Sequence, residues 1–335
     1  MTTESTERPV DGHESDANSE NVSTSIPDPD RAWHDWRRQG IGGSDIGALL
    51  GLSNWASPWS LWADKLGLLP PSPETQRQRI GKRMESLLAA EFHDAYPHLM
   101  VTGEQTQLTY KDWPVARCTV DGGIIKTPDT AMGRARPDLE DLVGVWEAKT
   151  QGTFGWPDGI PAYIEAQCRW NMGIARVGVC YLTVMFAGFR IEHYEIRHDD
   201  DEWQFMLDRA RDFWLLVEAG TAPEVDGSDA TTRALRHVHP EHITGERAEI
   251  DHLADLVVER GDLKDAVKAD TARLDEIDNE LRAAIGDAEY ATVAGVEMFT
   301  LRTQQGRKST CPECGHTTQG APFRVLRPTP RKKAA

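Results

Sequence analysis

An apolar run, Val143-Gly144-Val145-Trp146, leads without interruption into Glu147-Ala148-Lys149. Such a run reads as a strand buried on both faces, which requires a sheet covered by helices. A glutamate and a lysine at the end of that strand are expensive unless they are used. Residues two apart in a strand share a face, so Glu147 and Lys149 point the same way and the Ala148 carbonyl lies at the strand edge. The acid-x-Lys pattern alone is cheap, since about two matches arise by chance in a chain of this composition. The other match, Asp262-Leu263-Lys264, falls in a charged helical stretch where such spacing marks a solvated face. Context therefore decides the meaning of Glu147-Ala148-Lys149.

That context is an α/β pattern. Helical signals cover a short segment after the glycine loop at 40–45, a second at 58–66 opened by Ser57-Pro58, and a long one at 74–96 with Ile80, Met84, Leu87, Leu88 and Phe92 at helical spacing. Five candidate strands follow at 101–110, 115–126, 142–150, 176–186 and 190–197, rich in β-branched and aromatic residues. Helices at 162–174 and 201–218 interrupt and follow them. The pattern divides the chain into an acidic tail at 1–30, expected to be disordered, a core at 31–220, a linker at 221–244 and a helical segment with terminal strands at 245–335. In that last segment, an imperfect apolar stripe broken near Gly261 predicts a helical hairpin or a short coiled coil.

A second acid is needed if the strand is a cation site, because hard cations such as Mg²⁺ take several carboxylate and carbonyl oxygens. Asp121 in Val120-Asp121-Gly122-Gly123 ends an apolar strand and is followed by glycines that permit close approach; the plain alternative is a hairpin turn. Glu85 borders the apolar stripe of the long helix, where the alternative is an ordinary helical glutamate. Gly42-Gly43-Ser44 leads into a helix N-terminus whose free N–H groups attract phosphate, with a simple cap as its alternative. Cys311, Cys314 and His316 supply two or three ligands where structural zinc needs four, so a Zn²⁺ knuckle competes with a free-thiol loop. Trp55, Trp59 and Trp62 could stack bases, but core packing is the better expectation.

Together these residues resemble the Asp…Glu-x-Lys nuclease superfamily and, more closely, the YqaJ-like viral recombinase family to which phage lambda exonuclease is related. The resemblance runs from Trp33 through Ile41-Gly42-Gly43-Ser44-Asp45, Gly81-Lys82-Arg83-Met84-Glu85, Val120-Asp121-Gly122 and Trp146-Glu147-Ala148-Lys149-Thr150 to the segment around Gln167. It implies a restriction-endonuclease-like core with a central mixed five-stranded sheet flanked by helices, and a Mg²⁺-dependent DNA exonuclease, with Mn²⁺ as a substitute ion. By the same resemblance Asp121, Glu147 and the Ala148 carbonyl bind the metal, and Glu85 is an outer or second-metal ligand. Lys149 orients or activates water, Arg37 with Ser44 holds a terminal 5′-phosphate, and Gln167 contacts substrate phosphate or water. The implied partners are double-stranded DNA ends, a single-strand annealing protein, and further copies of the chain in a ring of three.

The sequence departs from this pattern at 127–141, a Pro- and charge-rich insertion; a shifted strand pairing there would put Asp138 or Glu140 in place of Asp121. The formal net charge of −17 opposes a generally DNA-coating surface. Much of the excess acid lies in the tail and after Asp199, while Arg37, Arg38, Arg77, Arg79, Lys82 and Arg83 cluster near the expected site and the C-terminus is basic. An iron-sulfur helicase-nuclease would need four clustered cysteines, and one pair exists. A non-catalytic DNA-binding subunit and an endonuclease of the same fold remain as alternatives. No apolar stretch approaches the roughly 20 residues of a membrane helix. The polar start lacks a secretory signal, and Cys118, Cys168 and Cys180 sit in apolar surroundings, so a cytoplasmic protein with reduced thiols is expected.

Overall fold

A computed structural model describes residues 29–71, 73–103, 105–127, 141–310 and 312–329. The expected tail and the alternative acids Asp138 and Glu140 fall outside them, apart from the start of the first helix. In chain order the elements are α1 (Pro29–Arg38), α2 (Gly43–Leu49), α3 (Pro58–Lys65), α4 (Gln76–Ala95), β1 (Leu99–Thr102), β2 (Thr106–Thr109), β3 (Arg117–Val120), β4 (Gly122–Lys126), β5 (Gly144–Thr150), α5 (Ala162–Ala175), β6 (Val179–Met185), β7 (Ile191–Arg197), α6 (Asp200–Ala219) and α7 (Asp229–Val238). A second compact unit begins at Ile243. It holds α8 (Ala254–Ile285), β8 (Tyr290–Val293), β9 (Val296–Gln304), β10 (Lys308–Thr310), β11 (Thr317–Gln319) and β12 (Phe323–Pro328).

The central sheet of the first unit has five strands in the order β1-β4-β5-β6-β7. It is mixed: β5 and β6 are parallel, and every other neighbouring pair is antiparallel. The parallel pair requires a crossover, and α5 supplies it. Side-chain alternation along β5 assigns the two faces. Val145 joins the larger core with Ile164, Cys168 and Met172 of α5 and with Ile46 of α2. Trp146 points the other way, into a smaller core with Leu88 and Phe92 of α4. Glu147 and Lys149 thus share the α5 face with Val145, as the two-residue period demands.

The five-stranded mixed sheet flanked by helices matches the expected fold, although its strands are cut differently. The expected strand at 101–110 is two strands, β1 and β2, and that at 115–126 divides at Asp121 into β3 and β4. The first break is a turn in which Gln105 takes a left-handed backbone (φ 52°). β2 and β3 leave the main sheet and pair only with each other. The stretch expected to be a linker contains α7, opened by Ser228, whose hydroxyl accepts the Thr231 N–H. Ala230, Thr231 and Ala234 are buried, and the Thr231 hydroxyl donates to Ser57 Oγ at 2.7 Å. Leu235 and Val238 pack against the same core, so the apolar face of α7 is the short set Ala230, Ala234, Leu235 and Val238.

In the second unit the expected hairpin is instead one helix. α8 runs unbroken through Gly261 for 32 residues, because a lone glycine costs only about 1 kcal/mol against alanine and its neighbours are good helix formers. The short β extension is a three-stranded sheet, β12-β9-β8, and a β10-β11 pair. No helix among the described residues is long and apolar enough to cross a membrane.

Candidate active site

The end of β5 carries the site. β4 pairs with β5 only as far as Gly122 opposite Trp146, so beyond Trp146 this edge of β5 is open. Asp121 stands there, where β3 gives way to β4, and its Oδ2 accepts the Ala148 N–H at 2.9 Å. A residue's N–H and C=O leave a strand on the same side, so the Ala148 carbonyl also faces Asp121. Asp121 is therefore no hairpin turn. It caps an interrupted strand edge.

Glu147 is 1% exposed. Its Oε1 accepts from Lys149 Nζ and from Gln167 Nε2, the latter at 2.5 Å, and its Oε2 accepts from Asn171 Nδ2 at 3.1 Å. Burial, and then Asp121, push its carboxyl up to about 7 against the pull of Lys149. Burial alone would lower the Lys149 ammonium, but Glu147 and Asp121 hold it above its usual range, so it stays charged. Glu85 is raised as well, first by partial burial and then by Asp121. Asp121 thus opposes the ionisation of both glutamates, as crowded like charges do.

Gln105 sits between two of them. Its Nε2 donates to Glu85 Oε2 at 3.1 Å and to Asp121 Oδ1 at 3.2 Å. Among the described residues no group of three or more His, Cys, Asp and Glu side chains converges tightly enough to hold a metal ion. The chemistry of the donor set nonetheless suits a hard cation: carboxylate oxygens, one open strand carbonyl, and mutual repulsion that added positive charge would relieve. The Gln105 amide supplies part of that relief.

The second expected group also comes together. Arg37 Nη2 donates to Ser44 Oγ at 3.2 Å and to Asp45 Oδ1 at 2.7 Å, with its guanidinium over Trp33. Asp45 is the hub. Its Oδ2 accepts from Lys65 Nζ at 2.6 Å and from the Gly42 N–H at 2.9 Å. Burial opposes its charge, but Lys65 and Arg37 overcome burial and hold the carboxyl well below its usual value of 3.8. The Lys65 side chain is fully buried, and its ammonium also donates to the Arg37 carbonyl. Arg37 is thus held at both its backbone and its head.

Gln167 lies on Glu147 rather than beside Arg37, which favours a role in holding the carboxylate. Asn171, one turn later on α5, does the same and was not singled out from the sequence; an asparagine four residues from Gln167, set between Trp170 and Met172, was the available signal. Lys65 and Gln105 carried no such signal. Gly43 joins the two groups, because a Cβ there would lie 2.3 Å from Asn171 Oδ1 and 3.3 Å from Gln167 Cγ. Gly43→Ala is expected to push Asn171 off Glu147 and to cost roughly 1–3 kcal/mol by overpacking, read as a lowered midpoint in urea unfolding.

The remaining expectations divide. Trp59 and Trp62 are core residues as expected, while Trp55 is 62% exposed. Cys118, Cys168 and Cys180 are buried and free. Cys311 lies outside the described residues, so the zinc expectation rests on Cys314, which is exposed and free, and His316. Arg77, Arg79, Lys82 and Arg83 are exposed on α4, the helix that carries Glu85. Arg77 donates to the Thr150 carbonyl at 3.3 Å, which places this basic turn beside the end of β5.

Residues 32–177 match the YqaJ-like viral recombinase domain. The uncharacterized protein YqaJ of Bacillus subtilis (strain 168) is 25% identical over 276 residues, covering 79% of this chain and 81% of that protein. Among solved structures, the chain is similar to an alkaline exonuclease from Laribacter hongkongensis (TM-score 0.43, 14% identity, 57% of this chain and 93% of the other). It is also similar to a putative exonuclease from Eubacterium rectale (TM-score 0.39, 12% identity, 72% and 99%).

Proposed function

From a chain whose residues 32–177 match the YqaJ-like viral recombinase domain, we propose a divalent-metal-dependent DNA exonuclease that degrades linear duplex DNA from its 5′ ends and leaves 3′ single-stranded tails. The observation that carries this reading is the open edge of β5, where Asp121, the Ala148 carbonyl, Glu147 and Lys149 meet under Glu85. In this reading Asp121, Glu147, the Ala148 carbonyl and Glu85 hold Mg²⁺ or Mn²⁺. The ion, when bound, neutralises phosphate charge and acidifies water. Gln105, which donates to both Glu85 and Asp121, would release them where they serve as ligands.

The chain's own side chains do the rest. Lys149, kept charged by Glu147 and Asp121, orients the attacking water and offsets the charge that gathers on the phosphate in the transition state. The proton that the water gives up passes to solvent, while Glu147 keeps its place as a carboxylate ligand. The P–O3′ bond breaks, the departing 3′ oxygen takes a proton from solvent, and a 5′-mononucleotide leaves. Gln167 and Asn171 keep Glu147 in place throughout. Arg37 and Ser44 receive the terminal 5′-phosphate, and the basic turn of α4 tracks the backbone despite the acidic whole. An annealing protein that coats the tails is the partner this product calls for.

Linear duplex and covalently closed circular DNA, incubated with Mg²⁺ or with EDTA, test the proposal. Loss of the linear form alone, and only with metal, is expected; linearised circles or metal-independent loss would overturn it. Arg37→Ala is expected to erase preference for 5′-phosphorylated over 5′-hydroxyl ends, with about a tenfold or greater loss on the phosphorylated substrate, since charge-assisted phosphate contacts contribute roughly 1.5–3 kcal/mol. Initial rates on the two substrates check it.

A further inference from the structure

α8 is about 48 Å long at 1.5 Å per residue, and it buries none of its side chains. A helix of this length whose apolar side chains are mostly exposed wants a partner for any apolar stripe it carries. Leu256, Leu263, Val267, Leu274 and Ile277 are between 38% and 64% exposed. With Leu253 just before the helix and Leu281 near its end, they recur at alternating spacings of three and four residues, the period of a two-stranded coiled-coil seam. The seam is interrupted twice, by Arg260 and by Asp270.

Those interruptions select the partner and its direction. In a parallel pair in register, Arg260 would face Arg260 and Asp270 would face Asp270, setting like charges in the seam. Two copies run antiparallel, with Leu263 against the partner's Val267, bring Leu256 against the partner's Leu274 and Leu253 against the partner's Ile277. In that one register Arg260 meets the partner's Asp270. Glu259, flanking the seam, meets the partner's Arg273. Two-fold symmetry makes each of these contacts twice. The single like-charge contact, Lys264 across the axis, lies on the exposed rim where charges contribute little.

We propose that a second copy of this chain covers α8, the two helices forming an antiparallel two-stranded coiled coil that makes the protein a dimer. This pairing is two-fold, unlike the three-fold ring implied by the family resemblance, and it stands whether or not the nuclease reading does.

Light scattering on the full chain at roughly 50 µM is expected to give twice the chain mass of 37.4 kDa. Leu263→Asp is expected to weaken the dimer at least about tenfold. Arg260→Asp and Asp270→Arg should each do the same, and the two changes combined should return the dissociation constant to within about threefold of wild type, because the pair is re-formed with its charges exchanged. Circular dichroism at high concentration confirms that each variant keeps its helix. A mass of one or three chains, a dimer indifferent to Leu263→Asp, or a charge exchange no tighter than its single changes would each overturn the proposal.

Discussion

Lys149→Ala is expected to reduce metal-dependent hydrolysis of linear duplex DNA by about 10²–10⁴-fold while leaving DNA binding nearly unchanged, since a charge aimed at the transition state contributes on that scale. The side chain is the cationic partner of the buried Glu147. It shares the α5 face with Glu147 and stays charged through Glu147 and Asp121, yet its side chain keeps 24% exposure at the mouth of the site. Lys149→Arg is expected to recover only a small part of the rate, because the longer planar head cannot occupy the same point beside Glu147. Single-turnover rates with saturating metal, set beside binding measured in Ca²⁺, separate chemistry from affinity. An unchanged single-turnover rate would remove Lys149 from the mechanism.

The second large effect is on stability. Asp45→Asn is expected to cost about 3–5 kcal/mol, because it leaves a fully buried Lys65 ammonium without its carboxylate. In a unit of this size that lowers the melting temperature by on the order of 10 °C. Adding Lys65→Met should recover most of the loss, since the orphaned charge goes with it, whereas Arg37 is partly exposed and can turn to solvent. The sign with pH follows from the depressed carboxyl of Asp45. Its contribution is fully present above about pH 4, the unfolded value, and declines as pH falls toward its folded value. Wild type and Asp45→Asn should therefore converge in thermal midpoint as the buffer is taken below pH 4, a convergence that calorimetry would detect.

The two experiments bear on different parts of one construction. Asp45 and Lys65 hold Arg37, and through Gly43 the same loop leans on Asn171, which holds Glu147. A change at Asp45 is thus expected to blunt the response to a 5′-phosphate even under conditions where the protein is folded.

Much of this was legible from residue order. The apolar run before Glu147 predicts a doubly covered strand, and Trp146 and Val145 do enter two different cores. The glycine loop with Arg37 and Ser44 reads as a local unit, and local it is: the three elements lie within fifteen residues. Where the reading fell short, the deciding contacts come from far along the chain. Lys65 reaches Asp45 across twenty residues, and Asn171 reaches Glu147 across twenty-four. Gln105 is placed by a left-handed turn that no pattern announced. α7 escaped notice because its apolar face, Ala230, Ala234, Leu235 and Val238, is only two turns long, and Gly261 was read as a break although one glycine cannot stop a helix this long.

The sequence by itself determined which strand ends in charge and the face that Glu147 and Lys149 share, because both follow from the fixed period of a strand. Only the tertiary structure decided that β4 stops at Gly122 and leaves the edge beside Glu147-Ala148-Lys149 open, with Asp121 on that edge and Glu85 and Gln105 brought to it. Strand pairing, helix docking and the burial of Asp45 depend on which distant segments meet, and it is that meeting, rather than the tripeptide, that turns Glu147-Ala148-Lys149 into a candidate site.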